Sequence, residues 1–493
     1  MDRVAWESEL QSLEDNGTWV PADLPPGRIA IGSWWVFKLK EDGRYKARLE
    51  AKGYSQEAGI GYQETFAPVA KFTTFRALMA LAAENNWEIE GMDVKTVFFH
   101  GHLAKVIHME MPEGLAEDSP GQVCRLLNTN YGLKQSPRVW YAKIHQFFAE
   151  SGFVRSAEDH SLFVHQTRRL VILLYVDDLV LAAAIQKDIN WIKESLKAQF
   201  EMTELGKLRN FIGVEVFRDR SRCTLKLSQE RYISRVLKDH GMEWCTAVAT
   251  PVGPGIRFEV YPVGYEATPS NRLQYQSAVG SLMYCMLGTR PDIAYAASMV
   301  SKYCTNPNSD HWMAVKRIFR YLAGAGGLGI TYGIRGGCEG FCDSDWGGSE
   351  DRRPTSGYVF LLNGGAISWA SRKQSVVALA STEAQYMAIT KAVKEVLWLR
   401  TLFTELGAWR HAKVICMIFS DNHGAIALSR NPGYHAQSNH IDIQFHFIRQ
   451  HVDPENGTIN LLYFPTGEMV ADVLTKGLVR GCHQQHTGAM GHY

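Results

Sequence analysis

Residues 169–183 read "RLVILLYVDDLVLAA", two apolar runs broken only by Asp177 and Asp178. Short apolar runs of this kind predict buried strands, and the acidic pair predicts a very tight turn between them. Upstream, "TTFRALMALAAENN" predicts a helix over 73–86, and "WEIEGMDVKTVFF" a strand carrying Asp93. A middle block, "LQYQSAVGSLMYCMLGTRPDIAYAASMVSKYC" through "HWMAVKRIFRYLAG", is mostly helical. Further on, "GFCDSDW", "SGYVFLL" and "AISWAS" alternate with turn residues as strands. A long helix follows, on which Ile389, Val393, Val396, Leu399 and Phe403 share one face. Thr382 and Gln385 have capping-box spacing at its start. The strand "KVICMIFS", then Asp421 and another helix complete a βββαβα order, which predicts a mixed sheet with helices packed on it. Pro- and Gly-rich stretches at 250–271 and 323–340 read as linkers. The expected organisation is 1–255, a helical connection at 256–336, a mixed-sheet domain at 337–480 and a tail at 481–493.

Composition narrows the class. At roughly 100–200 residues per domain, 493 residues suggest several domains. The chain carries 52 Lys+Arg against 51 Asp+Glu, so net charge argues neither for nor against nucleic acid. No apolar run of about 18 residues predicts a membrane span. The polar start "MDRVAWESEL" lacks the apolar core of a secretory signal, so a protein that is not secreted is expected. Nine scattered cysteines include no CxxC pair, which argues against a zinc ribbon and suits reduced thiols in an intracellular compartment. Cys338 and Cys342 have no second ligand pair nearby in sequence. His435, His440 and His446 cluster without a cysteine and read as structural rather than zinc-binding.

The carboxylates carry the chemistry. Burying charge costs several kcal/mol unless something compensates it. A divalent cation at Asp177, with Asp93 on a neighbouring strand, would do so. Phosphoryl transfer commonly uses two such ions, and hard oxygen ligands suit Mg²⁺. In the C-terminal block Asp343, Glu383, Asp421 and Asp472 sit at element ends, from which widely spaced acids can converge on a second two-metal site.

The motifs around these acids resemble one family. "YKARLEAKGYSQEAGIGYQETFAPVAKFTTFRALMALAA", "GMDVKTVFFHGHL", "VCRLLNTNYGLKQSPRVWY", "YVDD", "FEMTELGKLRNFIGVEV" and "LSQERYISRVLKDHGM" resemble, in order, the reverse transcriptase of copia-type LTR retrotransposons. "CDSDWGG", "ALASTEAQYMA", "FSDNHGAIALSRNPGYHAQSNHIDIQFHFIRQHV" and "FPTGEMVADVLTKGL" resemble the ribonuclease H of the same elements. The resemblance implies an α+β and α/β multidomain protein: fingers and palm, a helical connection, and a ribonuclease H-like mixed sheet. It implies Asp93, Asp177 and Asp178 as polymerase metal ligands, with Asp178 the weaker. Asp343, Glu383, Asp421 and Asp472 would be the nuclease ligands, with Asp345 close to the first. Two Mg²⁺ ions per centre are implied, with Mn²⁺ as a substitute.

Substrate contacts are implied for Lys46, Arg48 and Lys52 at the triphosphate. Phe98 would close the sugar pocket, its alternative being plain core packing. Gly132, Lys134 and Gln135 of "YGLKQSPR" would lie under the incoming nucleotide, beside Tyr175 of the hairpin. Arg125, Lys134, Arg138 and Lys143 form a stretch without an interleaved acid that suits a nucleic-acid backbone.

Implied partners are an RNA template, a DNA primer, RNA–DNA hybrid and dNTPs, with the integrase and capsid of the parent element, and no membrane. The chain would be the C-terminal portion of a polyprotein. Four positions depart from the family: Glu50, Val97, His102, and Gln385 where an acid is usual. Gln385 is expected one helical face away from the nuclease site and of little consequence. These departures keep open an alternative, a degenerate or domesticated copy that only binds nucleic acid.

Overall fold

The computed structural model describes residues 3–39, 43–115, 121–256, 264–333, 336–346, 353–408, 410–411, 416–430, 442–452 and 458–493. His435 and His440 lie outside the described residues, and the side chain of His446 is likewise not described. The chain forms two compact units, one of Met1–Ala70 and Glu90–Lys207, the other of Lys71–Ile89 and Leu208–Tyr493. This division differs from a cut near residue 255.

In the first unit, helix α1 (Arg3–Asp15) leads to β1 (Trp19–Ala22) and a hairpin of β2 (Ser33–Leu39) and β3 (Tyr45–Ala51). Helix α2 (Phe72–Glu84) belongs to the second unit. Then come β4 (Glu88–Val94), β5 (His102–Glu110), β6 (Val123–Asn128), α3 (Ser136–Glu150), β7 (Phe153–Arg155) and β8 (Leu162–His165). The apolar hairpin forms β9 (Leu170–Tyr175) and β10 (Asp178–Ala183). Helix α4 (Gln186–Gln199) and β11 (Met202–Lys207) close the unit. A six-stranded sheet runs β11-β4-β10-β9-β8-β7, beside a small sheet β1-β6-β5. Trp140, Ile144 and Phe148 of α3 and Ile189, Ile192 and Leu196 of α4 join Leu170, Ile172, Leu179 and Leu181 in one buried cluster on one face of the sheet. Val171, Leu173, Val180 and Ala182 on the other face are buried too, which is why the β9–β10 hairpin reads as nearly continuous apolar sequence.

The second unit holds β12 (Asn210–Phe211), β13 (Val214–Asp219), β14 (Thr224–Ser228) and α5 (Glu230–Asp239). The middle block is helical as its pattern predicts: α6 (Pro269–Gly288), α7 (Ala294–Ser301) and α8 (Ser309–Ala325). The stretch 323–340 is more than a linker. Its segment β15 (Ile330–Tyr332) is buried and pairs with β14. Next come β16 (Glu339–Asp345), β17 (Thr355–Leu362), β18 (Gly365–Lys373), α9 (Ser381–Glu405), β19 (Cys416–Ser420), α10 (His423–Arg430), α11 (Asp442–Val452) and β20 (Ile459–Tyr463). They build a mixed five-stranded sheet, β18-β17-β16-β19-β20, with β16–β19 and β19–β20 parallel. Ile389, Val393, Val396, Leu399 and Phe403 of α9 are all fully buried, as the helical spacing requires.

Residues 481–493 are not a loose tail. Helix α12 (Arg480–Ala489) and His492, which bridges Ile330, are packed into the unit. Helix α2 also serves here. The Arg76 side chain is buried; its Nε donates to the Ile367 carbonyl at 2.8 Å, its Nη1 to the Gly288 carbonyl at 2.8 Å, and its guanidinium lies 3.8 Å from the Trp369 ring centre.

Candidate active sites

The first centre lies in the six-stranded sheet, where β4 is flanked by β11 and β10. Asp93 is one residue from the end of β4, opposite Thr203 of β11. Tyr175 and Asp178 are paired across the β9–β10 hairpin, so Val176 and Asp177 form its two-residue turn. The Val94 N–H donates to the Asp177 carbonyl at 3.0 Å, tying the Asp93 strand to the turn. Val176 adopts φ 58°, a conformation that costs a β-branched residue about 1–3 kcal/mol and tends to occur at functional sites. The Trp140 indole N–H donates to the Val176 carbonyl at 2.7 Å and braces that turn. The Asp178 carboxyl is pushed up to about 6 by burial and by the charges of Asp177 and Asp93. The structure thus brings together the three carboxylates singled out in the sequence.

The surrounding residues divide. Phe98 is half-buried on the short helical turn after β4, its ring edge-on to Tyr131 at 5.0 Å. The Arg48 guanidinium lies 4.8 Å from the Tyr131 ring centre, and burial pushes the Tyr131 phenol up to about 12. Lys46 is exposed on β3, while Lys52 leans on the Trp34 ring at 5.8 Å. Tyr175 is half-buried at the end of β9.

Gly132, Lys134 and Gln135 are engaged with their own chain. A Cβ on Gly132 would sit 2.0 Å from the Ala51 carbonyl oxygen. Lys134 Nζ donates to the Gln56 carbonyl at 3.1 Å, and the buried Gln135 side chain bonds Gln56 and Gly61. These contacts dock the 53–62 loop onto the "YGLKQ" turn. Within the basic stretch, Arg138 is paired with Glu64. Trp140 and Tyr131 were not singled out in the sequence, because long-range bracing leaves no local pattern.

The second centre is built on the mixed sheet. Buried Asp343 lies on β16, Asp421 directly follows β19, and buried Asp472 lies on a short helical turn (Val470–Leu474). On α9 the structure places Glu383 and Gln385 differently. The helix residue that reaches Asp343 and Asp421 is Gln385, whose Nε2 donates to Asp343 Oδ1 at 2.9 Å and Asp421 Oδ1 at 2.7 Å. Glu383 instead accepts the Leu379 N–H at 2.6 Å. Residues two apart on a helix differ by roughly 200° in direction, so one of the two can face this cluster. The expected capping box is also absent: the N-cap is Ala380, with no side-chain cap.

Lys476 Nζ lies 2.9 Å from Asp472 Oδ1 and 3.7 Å from Asp343 Oδ2. Thr475 donates to Asp343 Oδ2, and Thr466 to Asp421 Oδ2 at 2.8 Å. Burial and the neighbouring Asp343 raise the Asp472 carboxyl well above the usual range, against the pull of Lys476. The position of Lys476, four residues after Asp472, was a readable signal. Among the described residues, no group of three or more His, Cys, Asp or Glu is arranged to hold a metal ion as it stands. No described helix is long and apolar enough to cross a membrane.

Residues 16–254 match the reverse transcriptase (RNA-dependent DNA polymerase) family. The chain is 40% identical over 490 residues to the retrovirus-related Pol polyprotein from transposon TNT 1-94 of Nicotiana tabacum, covering 97% of this chain and 36% of that protein. It thus spans about a third of the length of that polyprotein and of a related one from Arabidopsis thaliana. A transposon Ty5-1 protein of Saccharomyces cerevisiae is 32% identical over 314 residues, 62% of this chain and all of that protein. The structure of a foamy viral protease-reverse transcriptase in complex with dsDNA superposes with a TM-score of 0.52 at 12% identity, over 94% of this chain and 83% of that one, a likeness of multidomain α+β fold. On these matches the chain belongs to the copia-type retrotransposon Pol polyproteins, of which it carries the reverse transcriptase region.

Proposed function

We propose that the chain is an RNA-directed DNA polymerase, extending a DNA primer on an RNA or DNA template with dNTPs. The observation that carries this reading is the convergence of Asp93, Asp177 and Asp178 at a braced hairpin turn. Their all-oxygen donor set fits Mg²⁺, with Mn²⁺ as a substitute. When bound there, two divalent ions would supply an activated 3′-oxygen and a stabilised leaving pyrophosphate. The protein's part is positioning. Trp140 and the Val94 N–H brace the turn that carries Asp177 and Asp178 beside the Asp93 strand. Phe98, held edge-on by Tyr131, would exclude a 2′-hydroxyl, and Lys46, Arg48 and Lys52 would face the triphosphate.

The C-terminal mixed sheet supports a ribonuclease H-type unit that receives RNA–DNA hybrid. The solved neighbour is a complex with dsDNA, which supports nucleic-acid binding as a working reading for this chain. Gln385 among the carboxylates favours a second reading for this unit, hybrid binding without cleavage.

The polymerase test is dNTP incorporation on a primed RNA template with Mg²⁺. Parent protein should incorporate, and Asp93→Asn and Asp177→Asn should each lose at least ~10³-fold, as expected when an electrostatic centre of transition-state stabilisation is removed. Full synthesis by either variant would overturn the assignment.

A further inference from the structure

At the C-terminal carboxylate cluster, protein donors occupy the oxygens a divalent cation would need. Asp343 Oδ1 and Asp421 Oδ1 share the Gln385 amide, at 2.9 and 2.7 Å. Asp343 Oδ2 accepts from Thr475, Asp421 Oδ2 from Thr466, and Lys476 stands against both Asp343 and Asp472. Gln385 is buried, and its Oε1 is left with no hydrogen-bond partner. Leaving a buried carbonyl oxygen unpaired is costly, so the orientation is held by the two anionic acceptors facing Nε2. Turning the amide over would set its oxygen dipole against two carboxylates. The side-chain donor set is therefore three carboxylates, one inward-facing amide N–H and an ammonium, and it does not fit a two-cation centre.

We propose that Gln385 acts as a clasp in place of metal, closing the C-terminal centre so that this chain holds RNA–DNA hybrid there without cutting it. The clasp itself is a statement about Asp343, Asp421 and Gln385; its consequence for cutting rests on the ribonuclease H-type reading above. Gln385→Glu changes one donor into a fourth carboxylate at the same place and should reopen the centre to metal.

The experiment is Mn²⁺ titration calorimetry on the full chain, parent beside Gln385→Glu, followed by incubation of each with an RNA–DNA hybrid labelled in its RNA strand. The polymerase centre contributes equally to both titrations. Gln385→Glu should bind additional Mn²⁺ at least ~10–100-fold more tightly than the parent's C-terminal centre, the scale of change seen when merely a partner of a metal ligand is altered. It should also gain hybrid cleavage that Asp343→Asn removes. Cleavage by the parent that Asp343→Asn abolishes would overturn the proposal, as would identical Mn²⁺ isotherms. Should Gln385→Glu not fold without metal, Gln385→Ala gives the readout: it removes the clasp, adds no charge, and should still gain Mn²⁺ affinity, while an unchanged isotherm overturns the proposal. Extra Mn²⁺ without any cutting supports the clasp and overturns the nuclease reading, so the two failures are distinct.

Discussion

A single glycine sets the geometry beside the polymerase carboxylates. Gly132 has φ 86°, and a Cβ there would meet a backbone oxygen, Ala51, at 2.0 Å. No side-chain rotation relieves such a contact, because the Ala51 N–H is itself bonded to the Tyr131 carbonyl at 2.8 Å. Gly132→Ala should therefore cost at least about 1–3 kcal/mol locally and undock the loop that carries Lys134 and Gln135. Faster hydrogen exchange at the Ala51 amide would report it directly, with a matching fall in dNTP incorporation; protection equal to the parent's would refute it. The need for glycine here was legible in "YGLKQ", but its partner was not. Sequence suggests a close backbone approach, and the structure shows one, to the chain's own β3. Val176 is the opposite case: a β-branched residue gives no hint of a positive φ, since its intrinsic preference lies with extended backbone. The acids Asp93, Asp177 and Asp178 were legible because apolar strands rarely carry charge without a reason. That Gln385 rather than Glu383 reaches Asp343 and Asp421 was not, because either residue satisfies the spacing until the start of α9 is known.

Among the elements, α8 shows how a cap can carry a pH dependence. Asn308 and His311 form a full capping box: the Asn308 side chain accepts the His311 N–H, and His311 Nδ1 accepts the Asn308 N–H. His311 is buried and stacked on Tyr303 at 3.7 Å. Burial holds its imidazole down at about 4, from an ordinary 6.5, with Asp310 opposing weakly. The folded state therefore keeps His311 neutral while the unfolded chain protonates near 6.5. Stability from this group is complete above about 6.5 and is lost progressively as pH falls toward 4. His311→Gln retains a capping-box residue at the third helical position and removes the titration. The variant should take up about one proton fewer on unfolding in that window, read as a shallower loss of urea stability between pH 7 and 5. An unchanged pH slope would refute the assignment. The helical middle block was legible as a pattern, and the apolar stripe of α9 was correct residue by residue. The segment β15 was not legible: three residues, Ile330–Tyr332, amid glycines give too short a run to register, and only pairing with β14 makes them a strand.

For the whole molecule, the second unit is assembled from distant pieces, Lys71–Ile89 joining Leu208–Tyr493. Its interior contains a fully buried ion pair, Arg290 to Asp292, bonded at 2.9 and 2.7 Å, with the Tyr321 hydroxyl donating to Asp292 at 2.6 Å. Burial opposes the Asp292 charge, but Arg290 overrides it and holds the carboxyl far below the ordinary range. The last residues of the chain close this cluster. His483 Nε2 is 3.3 Å from the Asp292 carbonyl, and His492 Nδ1 is 3.8 Å from Asp292 Oδ1. The backbone joins in, with the Thr331 N–H donating to the Gly491 carbonyl at 2.9 Å. A sequence reading takes such a glycine- and histidine-rich terminus for a tail, because its contacts lie some 150–200 residues upstream and leave no local periodicity. Removing residues 480–493 would open the ion pair to water from one side and take from β15 its backbone contacts with Gly491 and His492. Breaking the pair itself, by Asp292→Asn, leaves a buried guanidinium uncompensated and should cost about 3–5 kcal/mol. Both variants should make β15 and α8 susceptible to limited proteolysis under conditions in which the parent resists. The truncation should also lose protection at the Ala366 amide, which donates to the Met490 carbonyl in the parent. If the truncated chain resisted protease as the parent does, the terminus would be an accessory to the unit. If it did not, a fold that begins with α2 near residue 72 is completed only by the final residues of the chain, and any shortening from that end removes the platform on which Asp343 and Asp472 stand.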